Sequence, residues 1–180
     1  MLPIGPLMIE HRLIERMIAR MKDEMERIDA GGEVDPQFID VGVDFIRNYA
    51  DHCHHGKEEK ILFRDLGKRS LTKEHQDKMD ELIQDHIWAR QTTGKLFNAK
   101  EAYLRNEKGA VDTIISCMKD LTDFYPKHII KEDKHFFKPV MEYFTRDELD
   151  AMLDEEYEFD RNFVHHLYTE IVEKWEKKTK

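Results

Sequence analysis

Apolar residues recur every three or four positions near the start of the chain, at Leu7, Ile14, Met17, Ile18, Met21, Met25 and Ile28. That spacing puts one apolar stripe on a helix and predicts a helix from about Leu7 to Ile28. Gly31-Gly32 ends it, and Asp35-Pro36 opens the next as an N-cap followed by proline at the first helical position. The second helix runs over about 36–66, with Gly56 as a weak spot inside it. Gly67 to Thr72 forms a turn, and Thr72 caps a third helix over about 72–105. The segment Asn106-Glu107-Lys108-Gly109 breaks the pattern before a fourth helix over about 110–144. Thr145 and Glu148 then form a capping-box pair that starts a last helical region, ending near Trp175 in a lysine-rich tail. No alternating strand pattern bounded by hairpin signals is found.

Four long helices joined by short turns predict an all-α, up-down-up-down four-helix bundle over 1–144. A helix of 30 residues is roughly 45 Å long, so each helix can cross the bundle and meet the others midway. Residues 145–180 form a C-terminal helical extension on the same domain. It caps the bundle or mediates self-association, which makes a homo-oligomer through this helix a further expectation.

Composition narrows the class. The 180 residues are 37% charged and 40% hydrophobic, with 8 glycines and 5 prolines, the balance of a water-soluble, helix-rich chain. No uncharged apolar stretch is long enough to span a membrane. The first residues, Met1-Leu2-Pro3-Ile4-Gly5-Pro6, lack the basic and apolar regions of a secretory leader. Two cysteines, Cys53 and Cys117, make no disulfide framework. These features place the chain in the cytoplasm. A formal net charge of -9, with no dense basic run, disfavours nucleic acid as a partner. The number that asks for an explanation is ten histidines.

Two segments match when laid over each other: His54-His55-Gly56-Lys57-Glu58-Glu59-Lys60-Ile61-Leu62-Phe63 and His128-Ile129-Ile130-Lys131-Glu132-Asp133-Lys134-His135-Phe136-Phe137. Both reduce to His-x-x-Lys-Glu-acid-Lys-x-apolar-Phe. An acid-His pair lies upstream of each, Glu10-His11 and Asp85-His86, at gaps from histidine to histidine of 43 and 42 residues. The chain therefore repeats a two-helix unit, and two helical hairpins meet about a pseudo-twofold axis. Residues i and i+4 share a helix face, so His54 with Glu58 and His128 with Glu132 each offer a nitrogen and an oxygen to one point. His11 shares a face with Ile14, Ile18 and Met25, and His86 with Met79, Leu82 and Ile83. Four inward imidazoles and two carboxylates suit first-row metal ions, and the carboxylates can bridge two of them.

Simpler explanations cover some of these residues. Any single inward histidine is explained as a hydrogen-bonded core residue; the doubled six-residue pattern is not. His55 and Glu59 form a rival pair one step round the helix, but the repeat pairs His55 with Ile129, which assigns His55 a supporting or surface role. His75 lies about 16 Å along the helix from His86, and His135 about 10 Å from His128. Both are too far along to share the ions, and His135 falls near the rim. His52, His165 and His166 have no motif partners. Tyr49 and Tyr125 read as core residues within reach of the site, and the lysine-acid runs read as solvated faces.

The arrangement resembles the hemerythrin and HHE cation-binding family over nearly all of the first 140 residues, in particular its bacterial and archaeal single-domain branch. The family pattern, a histidine and then His-x-x-x-Glu, twice over, falls on His11; His54 and Glu58; His86; and His128 and Glu132. The resemblance implies a carboxylate-bridged pair of non-haem iron ions, with zinc or another divalent metal as a substitute. It also implies binding of O2, NO or peroxide for sensing or protection. An oxidase-like or peroxidase-like di-iron enzyme and a metal-storage or metal-stabilised interaction module are the alternatives. Two departures stand out. Arg90 takes the place of a second histidine on the third helix, so one ion is expected to have one imidazole fewer and a more open site. Asp133 follows Glu132 and competes with it as a ligand, with Glu132 favoured by its match to Glu58.

Overall fold

The computed structural model describes the backbone of residues 1–178 and the side-chain surroundings of residues 1–163. It is built of five helices with no strand among the described residues. Helix α1 is Ile4–Asp29, and its buried residues are Ile4, Leu7, His11, Ile14, Ile18, Met21, Met25 and Ile28. The steps alternate three and four, the spacing of a coiled-coil seam, and His11 fills one place in that seam. The helix stops where Gly31, at φ 92°, bonds back to Ile28 and Gly32 bonds to Arg27, a Schellman closure that needs the left-handed glycine.

Helix α2 spans 36–66. The Asp35 carboxylate accepts from the backbone N–H of Gln37 and Phe38, so the predicted cap is present. This helix is not regularly α-helical. It widens into π-helical turns over Ile46–His55 and Glu58–Phe63. Helix α3 is Lys73–Leu104, capped by Thr72. Helix α4 spans 110–140 and has its own π segment, Lys131–Phe136. A short 3-10 turn, Met141–Tyr143, leads to α5, Arg146–Lys178, which opens with the expected capping box of Thr145 and Glu148. No helix among the described residues is long and apolar enough to cross a membrane.

The apolar residues gather in two clusters. One contains Ile14, Ile18, Leu96, Leu121, Tyr125 and Ile129. The other contains Ile4, Leu7, Ile61, Leu62, Leu82, Phe136 and Phe137, joined by Leu149 and Met152 of α5. His11 falls between Leu7 and Ile14, hence between the two clusters, and the polar residues of the repeat lie at that level.

Candidate metal centre

Six residues singled out by the repeat converge there from four helices. His11, His54, Glu58, His86, His128 and Glu132 are each no more than 1% exposed. The Nε2 atoms point at the two carboxylates: His54 is 3.4 Å and His86 3.3 Å from Glu58, while His11 is 3.2 Å and His128 3.1 Å from Glu132. Glu132 also lies 3.8 Å from His86. Each carboxylate thus faces histidines from more than one helix. His11, His54, Glu58 and Glu132 each bring a ligand atom within 4.8 Å of the others. His55, His86 and His128 form a second such group.

His55 is the residue that the surface reading misplaced. It is 1% exposed, and its ring stacks on His86 with centroids 3.8 Å apart. The misplacement came from assuming regular α-helical geometry. A π turn closes i→i+5 and fits an extra residue into the turn, so His54, His55 and Glu58 all face inward from a widened stretch. The site therefore gathers five histidines. Arg90 offers no imidazole, and the fifth ring at this level belongs to α2.

Twelve buried side-chain atoms among the described residues lack a hydrogen-bond partner. Eight of them are the four Nε2 atoms of His11, His54, His86 and His128 and the four carboxylate oxygens of Glu58 and Glu132. Burying so many donors and acceptors unsatisfied is costly. A cation between them would satisfy all eight, so the donor set fits a metal centre. The model of the Hemerythrin HHE cation binding domain matches residues 2–140.

The chain belongs to this family.

Neither the curated proteins nor the solved structures compared with the chain gave a match. Membership makes this hemerythrin-type bundle a cation-binding one, and the surroundings of the histidines follow the same logic. Every ring donates from Nδ1 to a carboxylate: His11 to Asp133 at 2.8 Å, His54 to Glu10 at 2.9 Å, His55 to Asp51 at 3.3 Å, His86 to Glu59 at 2.7 Å and His128 to Asp85 at 3.2 Å. A proton held on Nδ1 leaves Nε2 as the lone-pair nitrogen, the tautomer a metal requires.

Each of those acids in turn meets a cation. Arg12 pairs with Asp133, Lys57 with Glu10, and Lys131 with Asp85. Arg90 donates to both Asp51, at 2.7 Å, and Glu59, at 2.8 Å. Arg90 thus faces away from the pocket and steadies the carboxylates behind His55 and His86. The repeat now explains its own flanking letters. The acid before each upstream histidine supports the histidine of the next helix, and the acid after each inward glutamate supports an upstream histidine. Asp133 therefore stands behind His11 while Glu132 faces inward. The solvated role expected for the lysine-acid runs is wrong for Lys57, which is fully buried.

Electrostatics reflect these layers. Burial and the adjacent Glu132 push the Glu58 carboxyl well above its usual range. Burial also pushes Glu132 up, but His128, His11 and His86 outweigh it and hold Glu132 well below. Desolvation, then the neighbouring rings of His11 and His86 respectively, hold His54 and His55 well below the ordinary histidine value. Burial lowers His128, yet Glu132 and Asp85 raise it to about 9. Aromatic rings wall the pocket: Phe137 stacks on His11, Phe124 on His128 and Phe63 on His86.

The other candidates lie elsewhere. His75 Nδ1 is 2.8 Å from the Tyr143 hydroxyl, and His52 and His135 are exposed. Tyr125 is buried with a hydroxyl that lacks a partner, and Tyr49 is partly buried against Phe45. The side chains of His165 and His166 lie outside the described residues.

Proposed function

We propose that the chain holds two metal ions, iron in the cell, and binds a small oxidising ligand, O2, NO or peroxide, for sensing or protection. His55, His86 and His128 would hold one ion, His11 and His54 the other, with Glu58 and Glu132 shared between them. The observation that carries this reading is the set of eight buried, unpartnered nitrogen and oxygen atoms aimed at one another. Two iron ions held there supply electrons to a ligand and a place for it to bond. The division of three imidazoles against two leaves more room for an added ligand beside His11 and His54. The protein's own part is to turn each Nε2 inward, fix the rings through Asp133, Glu10, Asp51, Glu59 and Asp85, and keep bulk water out.

Elemental analysis of the full chain, purified without oxygen after growth in iron-supplemented medium, should give close to two iron ions per chain. The reduced protein should change its visible absorption on adding O2 or NO. A single ion, or a spectrum indifferent to both gases, would overturn the reading. Zinc found instead would reflect competition rather than site design, because affinity order does not favour iron. The cytoplasm remains the proposed compartment and a homo-oligomer through α5 the proposed assembly. Residues 1–144 and 145–180 remain the proposed division into a metal-binding bundle and a helical extension.

A further inference from the structure

The family match ends at residue 140, and α5 begins at Arg146. This added helix is nevertheless tied to α2 at the level of the metal centre. Arg64 forms a paired contact with Glu155, at 2.6 and 2.8 Å. Phe159 closes over Gly56, where even a Cβ would come within 3.0 Å of the ring, so the missing side chain lets α5 sit directly beside His54 and His55. One residue further on, Asp160 accepts from Lys57 Nζ at 2.7 Å. Lys57 also reaches Glu10, whose other oxygen accepts from His54 Nδ1 at 2.9 Å.

Glu10, Cys53 and Asp160 hold their donor atoms within 4.8 Å of one another, the spacing of a cation site. The buried ammonium of Lys57 bonds to both carboxylates and supplies the positive charge that an outside ion would bring. The cluster is therefore a support with its own cation built in. The equivalent lysine of the second half, Lys131, reaches Asp85 and Glu81, both on α3. Among the described residues, the first half alone has its lysine held by a group outside the family-matched segment.

We propose that Asp160 is a positioning residue of the metal centre: it anchors Lys57, which holds Glu10 against the ring of His54. The ion on the His11 and His54 side then depends on α5, and the ion on the His55, His86 and His128 side does not. This inference rests on the two-ion reading above.

The test is titration of the metal-free full chain with Co2+, whose visible absorption reports coordination. The wild-type chain should take up two ions. Asp160→Asn should weaken one step about tenfold or more, as loss of an outer carboxylate does elsewhere, and leave the other unchanged. Asp160→Glu should restore the weakened step. Glu155→Gln, which loosens the same helix at Arg64, should leave both steps at wild-type strength while lowering thermal stability. Asp160→Ala serves as the second variant if Asp160→Asn loses helix content by circular dichroism. Wild-type binding in both Asp160 variants, equal weakening of both steps, or the same loss in Glu155→Gln would each overturn the inference. A wild-type chain that takes up two ions while the variants fail to discriminate sinks the inference alone. One that takes up no cobalt sinks the two-ion reading with it.

Discussion

The two halves of the repeat begin from nearly the same letters and end in different environments. In the first, Lys57 is fully buried between Glu10 and Asp160; in the second, the Lys131 side chain is 25% exposed and pairs with Asp85 and Glu81. Burial leaves Glu10 above the usual carboxylate range in spite of Lys57. At Asp85 burial is outweighed by the bonds from His128 and Lys131, which hold it below. The first half carries His55 where the second carries Ile129, and Asp51 where the second carries Tyr125. A duplicated motif thus specifies the inward histidines and glutamates in both halves, while the partner layers behind them decide how each half is held. Symmetry ends where the helices meet different neighbours.

The largest expected effect separates His55 from Ile129. His55→Ala should cost the chain one of two iron ions, read by elemental analysis after anaerobic loading. Ile129→Ala, at the same repeat position, should keep both ions and instead lose about 2–4 kcal/mol of stability through the cavity it leaves. Equal metal loss in both variants would erase the distinction between the halves.

A smaller effect separates the two lysines. Lys57→Met strands buried carboxylates and should cost about 3–5 kcal/mol in chemical denaturation of the metal-free chain. Lys131→Met removes a partly exposed pair and should cost about 1 kcal/mol or less. Costs of similar size would mean that the burial of Lys57 carries no energetic weight.

The smallest effect concerns Glu156, fully buried with neither carboxylate oxygen bonded. Burial is the main cause that moves its carboxyl up to about 8, against the pull of Lys57 and with help from Glu10, Asp160 and Glu155. A carboxyl raised on folding stabilises fully below its unfolded value near 4.5, and that contribution is lost as pH rises through about 8. Thermal unfolding should therefore show the wild-type chain weakening across this window, by on the order of 2 kcal/mol between pH 6 and 9. Glu156→Gln should flatten that slope. A steep slope surviving in Glu156→Gln would assign it to another group.

Much of this arrangement could be read along the chain. Helix ends were legible because caps are local chemistry: Asp35, Thr72, the Thr145 and Glu148 pair and the Gly31-Gly32 closure each act within a few residues. The six inward residues were legible because a doubled i,i+4 pattern repeats a geometry as well as a composition. His55 was not, because the π turns that bring it inward are set by packing across the bundle and leave no mark in local spacing. Nor was the burial of Lys57, since a lysine in a charged run looks solvated until Asp160 of α5, 103 residues further along, is folded over it. Arg90 was legible only as a departure from the histidine pattern; its bonds to Asp51 and Glu59 and its outward aim emerge in three dimensions.

The seam of α1 has one more consequence. His11 takes a single step in a ladder whose neighbouring steps, Leu7 and Ile14, are apolar; Phe137 stacks on its ring, as Phe63 and Phe124 do on those of His86 and His128. Part of the wall around the donor atoms is therefore hydrocarbon. Neutral diatomic molecules partition into such a medium readily, whereas hydrated ions and charged metabolites pay a steep transfer cost. That part of the wall would favour a neutral visitor over a charged one.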